Sequence, residues 1–169
     1  SVISFDFAVS MVPGWHSTIF PPYFVAGALY AGFAMVLIIA IILRPVFKIE
    51  GLVTVRHLEN MAKLMLLSGL VVIYGYFMEG FMAWYGGHEI EAYAQLTRVF
   101  GPYGGWGWGL MLSNVVIPQA LWFKSVRTNV WWLLAISISI SIGMWIERFV
   151  IVVISLTRDF VPSSWGYYT

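Results

Sequence analysis

Four stretches of the chain stay apolar for about the 20 residues that a helix needs to cross a bilayer, with polar or turn-forming segments between them. The first runs from Phe20 to Leu43 and carries no charge. Pro21 and Pro22 open it, where a missing backbone N–H costs least. The second runs from about Met61 to Trp84, the third from about Gly104 to Phe123, and the fourth from about Val130 to Ser155. A backbone in hydrocarbon must satisfy its own hydrogen bonds, so only helices or a closed barrel can span it. Ile136–Ile142 alone alternates as a barrel strand would, and it sits inside a run far too long for one strand. The pattern therefore predicts an all-α integral membrane four-helix bundle, up and down, in a single membrane domain over 1–169, with spans at about 20–43, 61–84, 104–123 and 130–155. No internal repeat, low-complexity tract or linker interrupts it.

Composition removes the competing classes. Of 169 residues, 60% are hydrophobic and only 10% charged. A soluble domain carries about 25% charged residues, so a soluble enzyme or a nucleic-acid binder is excluded. The net charge of +1 gives no reason to expect an acidic partner. The chain has no cysteine, which removes disulfides, cysteine-ligated iron–sulfur clusters and thiol catalysis from within it. No basic segment precedes an apolar one as in a signal peptide. The chain starts abruptly in the apolar stretch Val2–Ser10 and reads as a piece of something longer, one of two bundles.

Charge also orients the spans. Arg44, Lys48, Arg56 and Lys63 follow the first span, and Lys124 and Arg127 follow the third. The other side has Arg98 and Arg158, diluted by Glu89, Glu91 and Asp159. This bias puts both basic loops in the cytoplasm, and the amino end, the 85–103 loop and the carboxyl end outside. Tyr23, Trp84, Tyr85, Trp106, Trp108, Trp122, Trp131, Trp132 and Trp165 gather at the span edges and read as a lipid-anchoring aromatic belt.

Ionisable residues inside a span are costly and point to function. Glu79 lies about 17 residues into the second span and Glu147 and Arg148 lie as deep in the fourth, roughly 26 Å along each helix from its cytoplasmic end. With Asp6 and His16 ahead of the first span, five ionisable groups converge on the outer side. Glu147 and Arg148 point about 100° apart on one helix, so each needs its own mate, and Glu79 is a candidate mate for Arg148. Ser137, Ser141 and Arg148 share one helical face, as do Ser68, Gly75 and Glu79. Such stripes suit either a hydrated proton path through Glu79, Glu147, Ser137 and Ser141 or close helix packing. Asn114, Pro118 and Gln119 in the third span read as packing residues, with a kink at Pro118.

The remaining motifs are bland. His16, His57 and His88 all lie outside the spans, so no pair is placed to ligate haem. His57 falls in a polar, capped helix start at Thr54. Asp6, His16, His88 and Glu89 have no recognised metal-ligand spacing, so no metal site is expected. Gly101–Gly109 is glycine-rich but lacks the Gly-Lys-Ser/Thr ending of a phosphate loop, and reads as a tight aromatic lead into the third span.

Several segments are distinctive: Phe5-Asp6-Phe7-Ala8-Val9-Ser10-Met11-Val12-Pro13-Gly14-Trp15-His16, Arg56-His57-Leu58-Glu59-Asn60-Met61-Ala62-Lys63, Phe77-Met78-Glu79-Gly80 and Trp145-Ile146-Glu147-Arg148-Phe149. Together they resemble the polysulfide-reductase (NrfD) membrane-subunit family, most of all the ActC-type subunits of bacterial alternative complex III, of which this chain looks like the second half. The resemblance implies a multi-pass subunit of the bacterial inner membrane. It implies menaquinol or ubiquinol as substrate, oxidised near the outer surface, and no covalently bound cofactor in this chain. The implied partners are an iron–sulfur subunit, multihaem c-type cytochrome subunits and a homologous NrfD-like membrane subunit. By the same resemblance Asp6 matches a family acid near the quinol pocket and Arg148 a buried family arginine. Quinol oxidation releases two protons, which need a carboxylate or histidine near the headgroup, and Asp6 and His16 are the candidates. Three roles stay open on the residues themselves: quinol oxidation, a proton path, or a membrane anchor whose charges only pair internally.

Overall fold

The computed structural model describes residues 2–10, 15, 18–87 and 89–154, and among them every regular element is helical. A short helix α1, Val2–Ala8, precedes α2, Phe20–Val46, which Pro21 and Pro22 open as expected. Helix α3 spans Val55–Tyr85, with Thr54 at its N-cap. The Thr54 hydroxyl meets the His57 ring at 2.7 Å and caps no backbone N–H. Helices α2 and α3, and the run Val130–Ile154, are each long and apolar enough to cross a membrane.

Two parts of the chain depart from the sequence pattern. The segment between the second and third spans, expected as a loop, contains helix α4, Glu89–Phe100. It is too short and too polar to register as a span, and it packs on α3 and α5. The third expected span is helical throughout but not one regular helix. Helix α5, Gly104–Met111, passes into a π turn over Leu112–Val116 and a 3-10 turn over Ile117–Trp122. Pro118 explains the change of pitch. It has no N–H for the Asn114 carbonyl four residues back, and its ring crowds that carbonyl. The Tyr30 hydroxyl of α2 donates to the Asn114 carbonyl at 3.4 Å instead.

A short helix α6, Lys124–Thr128, leads to α7, Val130–Phe149, whose start is capped by the Asn129 side chain accepting from Trp131 N–H and Trp132 N–H. A π turn, Val150–Ile154, continues α7. Burial along α7 falls at Ile136, Ser137, Ile140, Gly143, Met144 and Glu147. That spacing is helical and settles the alternating serine–isoleucine stretch against a strand.

The core lies between α2, α3 and α7. On α2 the buried face is Tyr23, Ala26, Gly27, Tyr30, Ala34, Leu37 and Ile41. Two glycines on α3 seat its tyrosines: a Cβ at Gly75 would stand 2.5 Å from the Tyr23 ring, and one at Gly69 2.9 Å from the Tyr30 ring. On α7, a Cβ at Gly143 would meet Asn114 Oδ1 at 2.2 Å and Ser113 Oγ at 2.3 Å. Close approach at small residues is how membrane helices gain contact where lipid offers no hydrophobic driving force. The amino-terminal segment is tied on by Trp15, whose indole N–H donates to the Ile151 carbonyl at 2.9 Å, and by Phe7, which packs edge-on against Trp15.

Two predictions follow from this packing. Gly75→Ala lowers stability by about 1–3 kcal/mol through overpacking, whereas Gly80→Ala, which meets open space on the same helix, stays within about 0.5 kcal/mol; the thermal unfolding midpoint in detergent measures both. Tyr30→Phe leaves the Asn114 carbonyl without its donor and costs about 1–3 kcal/mol. In a Pro118→Ala background, where the backbone N–H is restored, the cost of Tyr30→Phe shrinks, and equal costs in both backgrounds would refute the assignment.

Candidate functional site

Glu147 is fully buried, on α7 two residues before the helix ends. Its Oε2 accepts a short hydrogen bond from the Tyr76 hydroxyl of α3. The Tyr76 oxygen in turn accepts from Asn114 Nδ2 at 3.2 Å. Asn114 is itself fully buried, and its Nδ2 also lies 3.5 Å from Met144 Sδ. A polar chain thus runs from the π turn through α3 to α7. Two side-chain oxygens left over in it, Glu147 Oε1 and Asn114 Oδ1, are buried without a hydrogen-bond partner among the described residues. The Tyr23 ring lies 5.7 Å from that of Tyr76, which places its hydroxyl beside the same group of atoms.

Arg148 diverges from Glu147, as adjacent helical positions must. Its guanidinium carbon stands 4.2 Å from the centroid of the Phe24 ring, a favourable cation–π distance. Arg148 NH1 remains 3.5 Å from Glu147 Oε1, an ion pair without hydrogen-bond geometry. Glu79 is not the mate of Arg148. Its Oε1 takes Arg98 NH1 at 2.7 Å and Gln95 Nε2 at 2.9 Å. The unexpected helix α4 is the reason, because it carries both donors onto the end of α3.

Between these two ion pairs lies a cavity of about 70 Å³. Tyr23, Tyr76 and Glu147 line one part of it, and Glu79, Gln95 and Arg98 another. Apolar walls come from Val99, Leu110, Met111, Val150 and Ile151. A buried site needs about 10–15 Å³ for each water centre, so this one admits several.

The other sequence candidates fall as follows. Asp6 is exposed on α1 and forms no ion pair among the described residues. Its helix nevertheless docks at the Arg148 end of the bundle, because neighbouring Phe7 packs on Phe24 at 5.6 Å. His16 lies outside the described residues, as does Trp165. Ser137 is fully buried, and its hydroxyl has no hydrogen-bond partner among the described residues. Ser141 Oγ donates to the Ser137 carbonyl at 3.0 Å, and Ser68 Oγ to the Leu64 and Met65 carbonyls, so these two hydroxyls are turned onto their own helices. Among the described residues no three His, Asp or Glu side chains gather to hold a metal ion.

Four members of the site, Tyr23, Tyr76, Gln95 and Asn114, were not read from the sequence. Tyr23 was expected among the lipid anchors, yet it is 7% exposed. Trp84, Tyr85, Trp106, Trp108, Trp122, Trp131 and Trp132 are exposed, as a belt requires. Asn114 was expected to be a packing residue; it is fully buried against Gly143, and its amide also joins Tyr76 to the π turn. Tyr76 carried no signal beyond its place three residues before Glu79. An amide four residues before a proline marks a backbone carbonyl freed from the helix, and that pairing was the available clue.

No curated protein matches the chain closely. The family model described as polysulphide reductase, NrfD matches residues 2–158, nearly the whole length, and takes in Asp6, Tyr76, Glu79, Asn114, Glu147 and Arg148 alike. With its helical membrane architecture and its buried acid Glu147, the chain belongs to the polysulphide reductase, NrfD family, the membrane subunits of polysulphide-reductase-type and quinol-oxidising complexes.

Proposed function

We propose that this chain is part of the quinol-oxidising membrane subunit of a complex of the alternative complex III kind, and that its own contribution is proton handling centred on Glu147. Quinol, menaquinol or ubiquinol, gives two electrons and two protons. The electrons leave to an iron–sulfur partner and onward to multihaem c-type cytochromes. This chain has no cysteine with which to hold a cluster. A homologous NrfD-like subunit and the bacterial inner membrane complete the setting.

The observation that carries the reading is a fully buried carboxylate, hydrogen-bonded to a tyrosine, on the wall of a cavity that reaches two further charged groups. A buried acid of this kind exchanges protons with whatever water reaches it. Cavity size favours protons over quinol at this spot. Pockets for small organic ligands measure about 300–1,000 Å³, well above the 70 Å³ found here. Asp6 and His16 are then the proton acceptors nearest the quinol headgroup, with Arg148 at the border of its pocket, and Glu79, Glu147, Ser137 and Ser141 belong to the onward path. The rest of the quinol pocket is supplied by the other half of the subunit.

Glu147→Gln in the intact complex, reconstituted in liposomes, separates the roles. Proton movement falls by about 10²-fold, the lower range for removing a positioned acid or base, while quinol oxidation with an artificial acceptor stays within about threefold. Equal loss of both, with assembly intact, would place quinol chemistry at Glu147 itself. Loss of assembly alone would leave only an anchor. In the same assay Asp6→Asn slows quinol oxidation by about 10-fold or more and leaves assembly unchanged; unaltered turnover would remove Asp6 from the quinol site.

A further inference from the structure

Helix α2 ends in a turn that glycine usually closes. The Ile49 N–H donates to the Arg44 carbonyl at 3.1 Å, and the Lys48 N–H to the Pro45 carbonyl at 3.4 Å. This pair of bonds is the Schellman motif, whose closing residue adopts the left-handed conformation. Lys48 holds that place at a φ of +53°, and among the described residues it is the one non-glycine at positive φ. A lysine there costs stability that glycine would not, because its Cβ crowds the next carbonyl. The Lys48 side chain is exposed, so packing does not offset the cost. Strain kept without a packing return argues for a use of the side chain itself.

The surroundings supply a companion cation. Arg44 lies in the last turn of α2, and its Nε is buried without a hydrogen-bond partner among the described residues. The acids at this end of the bundle do not neutralise the two. Glu59 is taken by Lys63 at 3.0 Å and faced by Arg127 at 3.8 Å. Glu50 is exposed. Like Arg44, Lys48, Arg56 and Lys124, it forms no ion pair among the described residues. Large apolar side chains are exposed around the same turn: Val46, Phe47 and Leu52 are 67%, 66% and 76% exposed. A soluble anion would need only the cations. Unpaired cations beside exposed apolar side chains, at the end of a helix fit to cross a membrane, match the two parts of a lipid, charged headgroup and acyl chain.

We propose that the turn at the end of α2 binds the headgroup of an anionic phospholipid, with Arg44 and Lys48 on its phosphate and Phe47 against its acyl region. A zwitterionic lipid carries its own ammonium beside the phosphate and gains less from two further cations. The site is independent of the proton handling centred on Glu147.

A photoreactive probe tests it in the intact complex. p-Benzoylphenylalanine replaces Phe47, and the complex is placed in nanodiscs of phosphatidylcholine with a minor share of phosphatidylglycerol. After irradiation, mass spectrometry of the peptide carrying residue 47 gives the ratio of the two lipid adducts. Phosphatidylglycerol is expected to exceed its bilayer ratio about tenfold or more from two basic side chains, whereas the same probe in place of Ile39, exposed further back on α2, returns the bilayer ratio. Arg44→Gln and Lys48→Gly each lower the excess about fivefold, the worth of one basic side chain at an anionic surface, and Lys48→Arg keeps it. Lys48→Gly does so without lowering the thermal unfolding midpoint, because glycine suits the turn. No excess at residue 47, an excess that survives both substitutions, or a lowered midpoint in Lys48→Gly overturns the proposal. So does cross-linking of the probe to a neighbouring protein, which would make the turn a subunit contact. Loss of the excess in inorganic phosphate, but not in chloride of equal ionic strength, would make it a site for free phosphate and overturns the lipid assignment.

Discussion

A carboxylate with no exposed surface in a membrane bundle persists only where donors meet it, and Glu147 imposes that condition on every neighbouring helix. Helix α3 supplies the Tyr76 hydroxyl, the π turn supplies the amide that orients Tyr76, and α7 supplies the Arg148 guanidinium. Removing one partner of a buried pair costs about 3–5 kcal/mol, yet replacing the whole group with apolar side chains is often neutral or stabilising. Burial of this acid is therefore poorly explained by stability. Its natural explanation is use, and the cavity at its side fits the proton handling proposed for it.

The irregular stretch between α5 and α6 serves the same end. A regular helix through residues 104–122 would return every carbonyl to its own backbone. Pro118 prevents this at Asn114, and Tyr30 from α2 takes the freed carbonyl. The side chain of the same residue reaches Tyr76, while Gly143 lets α7 approach close enough for Asn114 and Ser113 to fill the gap. One residue thus connects three helices, by backbone to α2 and by side chain to α3 and α7. A π turn followed by a 3-10 turn costs regularity in hydrogen bonding, and such bulges gather at functional positions.

The helices themselves were legible because about 20 residues of unbroken hydrophobicity admit few alternatives in lipid. Span edges at Phe20 and Val130 were legible because prolines and a capping asparagine mark them. The divergence of Glu147 and Arg148 was legible too, Glu147 toward Tyr76 and Arg148 toward Phe24, although the two also pair with each other. Partner choice was not. Arg148 was the candidate mate for Glu79, and only the fold of residues 89–100 decides for Arg98. That helix is short and polar on one side, so it resembles a loop on any scale tuned to membrane spans. Tyr23 was misread, and the polar link through Asn114 missed, because burial of a tyrosine or an amide depends on the glycine opposite it. Gly75 and Gly143 lie 52 and 29 residues away along the chain, beyond the reach of local pattern.

The charge arrangement also decides what the cavity is suited to carry. Each of its two acids already meets an arginine, Glu79 with Arg98 and Glu147 with Arg148. The pairs nearly cancel, so a metal cation entering the cavity would lose hydration and meet little net negative charge in return. Among the described residues there is also no third carboxylate or imidazole to complete a ligand set. A proton meets no such barrier. A proton passes along water hydrogen-bonded to polar groups, and Tyr23, Tyr76 and Glu147 place such groups on the cavity lining. Neutral overall and polar on one side, the cavity suits the proton handling proposed for Glu147 better than it suits a metal cation.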